Sequence, residues 1–122
     1  MTKKERPILS DLVNAGTSDV EKFQNEVIRP IIKMQHNLLI AFFKSYVQQR
    51  KIDFISLTLE KKNKHIRSML TKDINFKNIL LGSIIGHFSM DEFSFYHKNT
   101  SEVNRRIVQI TKQRLQDSLS EL

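Results

Sequence analysis

Few residues in this chain have the types and spacing for chemistry: four histidines, His36, His65, His87 and His97, and no cysteine. The absence of Cys excludes disulfides, thiolate metal sites and cysteine catalysis. Metal ligands on one helix need spacings such as i and i+4 to share a face, and the histidines fall on four different predicted elements. No Glu-x-x-His occurs, so the di-iron bundle signature is missing. The best metal candidate is the group His87, Asp91, Glu92 and His97, which could converge across a helix junction at Ser89. The competing expectation is that His87 and His97 are partly buried, hydrogen-bonded side chains beside Tyr96. Hydrolytic catalysis fares no better: there is no G-x-S-x-G, and Ser83 lies mid-helix between Gly82 and Gly86. Phosphate-cradling glycine loops are missing too. His87, Tyr96, His97, Arg105 and Arg106 make only a loose candidate pocket for a small anion. A protein without a catalytic site, a bound metal or a cofactor is the expectation.

Charge is the stronger signal. The formal net charge is +7 and the sequence pI about 9.8. It is unevenly spread: residues 44–77 hold nine Lys and Arg against three Asp and Glu, while residues 78–122 are balanced at five of each. Arg50, Lys51, Lys61, Lys62, Lys64, Arg67, Lys72 and Lys77 could form a basic face that meets nucleic-acid phosphates. Sequence-specific readout is not expected, because the helix after the turn at Asp73 is apolar, and a recognition helix presents polar groups to base edges. A basic helix face is also what an ordinary solvated surface looks like.

The elements that position these residues read as helices. The stretch Ser18–Lys51 is organised as one long helical segment, opened by a capping box of Ser18 and Glu21. Val20, Phe23, Val27, Ile31, Met34, Leu38 and Phe42 recur at steps of three or four. A second apolar set, Ile28, Ile32, Leu39, Phe43 and Val47 with Ile40 at its edge, widens the apolar surface past half the circumference. Pro30 has no N–H and crowds the carbonyl of Glu26, so a kink or restart is expected there. A straight helix of this length would reach about 50 Å, against a diameter of roughly 35 Å for a compact chain of this size. Either the kink folds the segment back, or a second copy covers it. The reading favoured is a homodimer through Ile28, Ile32, Leu39, Phe43 and Val47.

Four further helices follow from local signals. Thr58 caps a helix whose apolar stripe is Leu59, Ile66, Met69 and Leu70. Asp73 caps one running to about Phe88, with Phe76, Ile79, Leu80, Leu81, Ile84, Ile85 and Phe88 on all sides, so it is expected to be buried. Gly82 and Gly86 in it each cost up to about 1 kcal/mol of helix propensity, which suggests close approach of another backbone. Ser89 and Glu92 form a second capping box, and Thr100 or Ser101 caps a last helix from about Glu102 to Leu119. No stretch alternates with strand period. The fold expected is all-α: about five helices packed around a long, Pro-kinked central helix, with residues 1–17 as a partly flexible arm and 18–122 as a single helical domain. LLIAFF and ILLGSIIGHF are too short to span a bilayer, and MTKKERPILSDLVNAG lacks the apolar run of a secretory leader. A soluble, cytoplasmic protein with no membrane partner is expected.

Over about residues 20–120, the stretches FQNEVIRPIIKMQHNLL, LEKK, GSIIGHFSMDEF, NRRI and QRLQ resemble a family of short, uncharacterised, all-helical bacterial proteins. Such proteins are sometimes labelled glyoxalase. Glyoxalases of the vicinal-oxygen-chelate class use βαβββ modules with His and Glu ligands on strands, and this chain offers neither. The resemblance implies a small helical fold and carries over no catalytic residue. The functional expectation is a non-enzymatic, self-associating interaction or regulatory module. The alternatives are a nucleic-acid binder through Arg50, Lys51, Lys61, Lys64, Arg67 and Lys72, and a small-molecule or metal site near His87 and His97.

Overall fold

Hydrogen bonds between residues three or four apart decide where most of the helices begin. In the computed structural model, which describes residues 18–122, Ser18 Oγ accepts from the Glu21 N–H (3.1 Å) and opens α1, Asp19–Phe23. The expected arm over residues 1–17 lies outside the described residues. Thr58 Oγ1 accepts from Lys61 N–H and opens α4, Leu59–Lys72. Asp73 Oδ1 accepts from Phe76 N–H and opens α5, Ile74–Ile85. At α6, Met90–Lys98, the whole capping box forms: Glu92 N–H to Ser89 Oγ at 3.1 Å, and Ser89 N–H to Glu92 Oε1 at 2.8 Å. The last helix, α7, Thr100–Asp117, starts earlier than the expected cap, at Asn99, with no side-chain cap. Thr100 and Asn99 instead donate back to carbonyls of α6, which closes the α6–α7 corner. The described residues are all-α, with no strand.

The central segment is not one uninterrupted helix: it restarts at Pro30, as expected, and breaks a second time at Gln35. A π-helical turn, Gln24–Ile28, separates α1 from α2, Arg29–Met34, and a break at Gln35 separates α2 from α3, His36–Gln49. Pro30 supplies the reason for the first departure. It cannot donate to Glu26 and its ring crowds that carbonyl, so the preceding turn takes one extra residue, with Arg29 N–H bonding to Gln24 O. Gln35, buried to 6%, has φ −92° and ψ 11°. Its side-chain nitrogen lies 2.8 Å from His87 Nε2 and 3.4 Å from the Ser83 carbonyl, and these contacts tie the start of α3 to the end of α5. At the other end, Tyr46 donates to Asp73 Oδ1 (3.0 Å) and its ring meets Phe76 edge-on. These contacts make α3 and α5 antiparallel.

The core joins all these pieces. Ile28, Ile31, Ile32, Phe43, Ile66, Leu70, Leu80, Ile84, Val103, Ile107 and Leu115 are each under 2% exposed. Helix α7 packs on α4 and α5 through Val103, Ile107, Thr111 and Leu115, spaced four apart. Phe95 of α6 stacks on Phe23 with centroids 4.7 Å apart. This arrangement corrects the expected dimer face. Ile28, Ile32, Leu39 and Phe43 lie at 0–3% exposure in the chain's own core, so those four have nothing to offer a second copy, and Val47 is half-buried against that core. The surplus surface found on the segment was covered by helices far away in sequence.

The segment ends in a Schellman turn: Ile52 N–H reaches Val47 O, and Lys51 N–H reaches Gln48 O. Lys51 sits at the left-handed position with φ 56°, where glycine is usual. Phe54 (4% exposed) then plugs the loop against Phe43, their centroids 5.1 Å apart.

Candidate functional site

The histidines find separate partners. Arg114 Nη1 lies 3.2 Å from His36 Nδ1, and a guanidinium can only donate, so Nδ1 accepts. The proton of a neutral His36 is then on Nε2, which points at both carboxylate oxygens of Glu121 (3.0 and 3.1 Å). His87 bonds Gln35, His97 stacks on Phe93, and His65 borders a hollow on α4. Glu92 is held in its cap, and Asp91 is exposed at the edge of a shallow hollow beside Phe95. The expected convergence of His87, Asp91, Glu92 and His97 does not occur. Among the described residues, no three His, Asp or Glu side chains gather as metal ligands.

The loose anion pocket dissolves in the same way. Tyr96 donates to Asn104 (2.8 Å), Arg105 and Arg106 both bond Glu102, and Arg106 also reaches Gln24 (3.0 Å). Hydrogen bonds from Arg105 first, then Arg106, hold the Glu102 carboxyl down to about 2 from its ordinary 4.5. A hollow of about 470 Å³, lined by polar residues except for Ile110, lies between Arg29 and the end of α7. Several of its polar groups are already engaged: Gln113 with Asp117 inside it, and Arg29 with Asn25 and Arg114 with His36 beside it. Sequence spacing gave no sign of it, because its walls come from opposite ends of the chain.

Two surfaces remain, on consecutive helices. The first is the outer face of α4. Lys61, Lys64, Arg67 and Lys72 are exposed, and none has a carboxylate at ion-pair distance among the described residues. Two hollows run along it, about 250 and 430 Å³, and both are walled by His65 and Ser68. The basic set read from sequence must be trimmed. Arg50 forms an ion pair with Asp73 and lies 4.8 Å over the Tyr46 ring, so it clamps α3 to α5. Lys51 is exposed and also forms the left-handed turn that ends α3, whereas Lys62 lies over the Phe54 ring.

The second surface is the outer face of α5, and sequence reasoning missed it. Phe76, Leu80, Leu81 and Ile84 face the core, but Ile74 is 70% and Ile79 50% exposed. Asn75, Asn78, Gly82 and Gly86 are exposed on the same side. At 100° per residue these six positions span roughly 140° and contain no charge. Nothing in the described structure comes within 4 Å of where a Cβ on Gly82 would stand. The expectation that α5 is buried on all sides is wrong, and the close approach of another backbone expected at Gly82 is not made by any described residue of this chain. The available clue was the spacing of Asn75, Asn78, Gly82 and Gly86, a non-apolar stripe hidden among isoleucines.

No helix among the described residues is long and apolar enough to cross a membrane. No protein-family model, curated protein or solved structure matches the chain.

Proposed function

We propose that this protein is a non-enzymatic binding module that works as a homodimer, joined through the outer face of α5. The observation that carries the reading is Gly82. A glycine in a helix interior costs up to about 1 kcal/mol relative to alanine, and no close neighbour among the described residues requires one here. A contact from outside the chain would give that cost a purpose.

A second copy is the occupant that fits. Two chains of net charge +7 repel, which favours contact across a surface without cations, and the α5 arc is uncharged along its length. A twofold contact must be self-complementary, with residue i meeting j and j meeting i. Ile79 is a protruding group one turn from the bare backbone at Gly82, so two antiparallel copies of α5 can each seat Ile79 over the other's glycine. The arc is about 18 Å long and one helix, about 10 Å, wide, roughly 200 Å² against about 800 Å² per partner for a standard interface, so weak, concentration-dependent pairing is expected.

Sedimentation equilibrium tests this. The expected result is a monomer–dimer equilibrium in the micromolar range, abolished by Ile79→Ser and by Gly82→Leu while helical circular dichroism is unchanged. A strict monomer up to about 100 µM, where a stabilisation near 5 kcal/mol would already be visible, overturns the reading. So does a dimer that both substitutions leave intact.

A further inference from the structure

We infer that the outer face of α4 docks on the phosphate backbone of duplex DNA, without reading its sequence. Lys61, Lys64, His65, Ser68 and Lys72 fall within roughly a 100° arc of the helix, spread over about 16 Å of its axis. Arg67 flanks Lys64. That length faces several phosphates, since each strand of duplex DNA carries one per 3.4 Å of axis.

Two features separate this surface from an ordinary solvated helix. Lys61 with Lys64, and Lys64 with Arg67, are like charges three apart, an arrangement that weakens a helix. Among the described residues no acid comes within ion-pair distance of them: Asp73 is taken by Arg50, and Glu60 pairs with none. A polyanion from outside would supply the missing charge. Single strands fit less well, because they are held by base stacking on aromatic rings, and the helix LEKKNKHIRSMLTK offers only His65. Sequence readout is not expected, since the face is made mostly of long flexible lysines, which reach phosphates as compact point charges.

The inference stands apart from self-association. Ile79→Ser removes the proposed dimer contact and leaves every α4 cation in place, so it separates the two. The test is fluorescence anisotropy of the full-length protein with a 30-base-pair DNA duplex of arbitrary sequence. With three to four phosphates neutralised, log K falls against log salt with a slope of about −3 to −4, a loss near 100-fold between about 50 and 200 mM. Lys64→Gln lowers that slope by about 1. The same substitution at Lys98, exposed on α6, leaves it unchanged. No binding at about 50 mM salt overturns the inference, as does equal sensitivity to Lys64→Gln and Lys98→Gln. Binding to duplex RNA alone, or to phosphatidylserine vesicles that duplex DNA fails to displace, overturns it in favour of that ligand.

Discussion

Helices α4 and α5 follow each other with only Asp73 between them, yet their outer faces are opposites. One is a ladder of cations with no ion-pair partner among the described residues, and the other is an uncharged strip of Ile, Asn and Gly. Charge on a solvated helix face is compatible with folding at little cost, so α4's outer face says little about how the chain folds. The α5 face is less comfortable. Half-exposed isoleucines forgo burial, and a mid-helix glycine forgoes helix propensity. Folding alone accounts for the first surface more easily than for the second, and this is why the second carries the proposal about assembly.

The largest effect expected is within α5 itself. Ile84 is fully buried and Ile79 half exposed on the opposite side. Ile84→Ala should cost about 3 kcal/mol and Ile79→Ala under about 1 kcal/mol in urea denaturation of dilute protein. Equal costs would mean that α5 has no free side, and the contrast with α4 would collapse.

The joint between the two faces comes next. Asp73 caps α5, accepts from Tyr46 and pairs with Arg50, on a largely buried carboxylate. Asp73→Ala should cost about 2–3 kcal/mol by the same measurement, from a lost cap and two lost partners. A loss below about 0.5 kcal/mol, the level of a plain surface change, would show that the joint is not fixed there.

Lys51 sharpens which cations belong to the α4 surface. If its place is set by backbone geometry, Lys51→Gly should raise stability by about 1 kcal/mol, by relieving a left-handed lysine. The same variant should leave DNA binding unaltered in anisotropy. A loss of affinity matching that of Lys64→Gln would return Lys51 to the basic face.

The smallest effect concerns pH. Glu102 titrates lower in the folded chain than in the unfolded one, so its contribution is present above about 4.5 and lost as pH falls towards about 2. Because the group is exposed, the change should be slight. Wild type and Glu102→Gln should converge in melting temperature between pH 4.5 and 2, and curves that stay parallel would remove the Arg105–Glu102–Arg106 pairing as the cause.

Much of the fold was legible in single residues. Thr58, Asp73 and Ser89 each declared a helix start, because a cap closes a hydrogen bond within three residues of itself. Pro30 announced a disturbance for the same local reason, though not that the disturbance would be a π turn. The candidate sites were much less legible. Asp91 and His97 stand near His87 in the chain, but His87 turns to Gln35, fifty-two residues away. Arg50 looked like one more surface cation until Asp73 arrived from across the fold.

The amino-acid sequence by itself determined the all-α class, the positions of most helix starts, and the excess of positive charge on α4. Only the tertiary structure decided which apolar surfaces are spent in the core. It covered Ile28, Ile32, Leu39 and Phe43 and left Ile74 and Ile79 in water. The physical reason is that capping and propensity act between near neighbours, whereas burial depends on what distant segment covers a face, and periodicity marks a side as apolar without naming its cover.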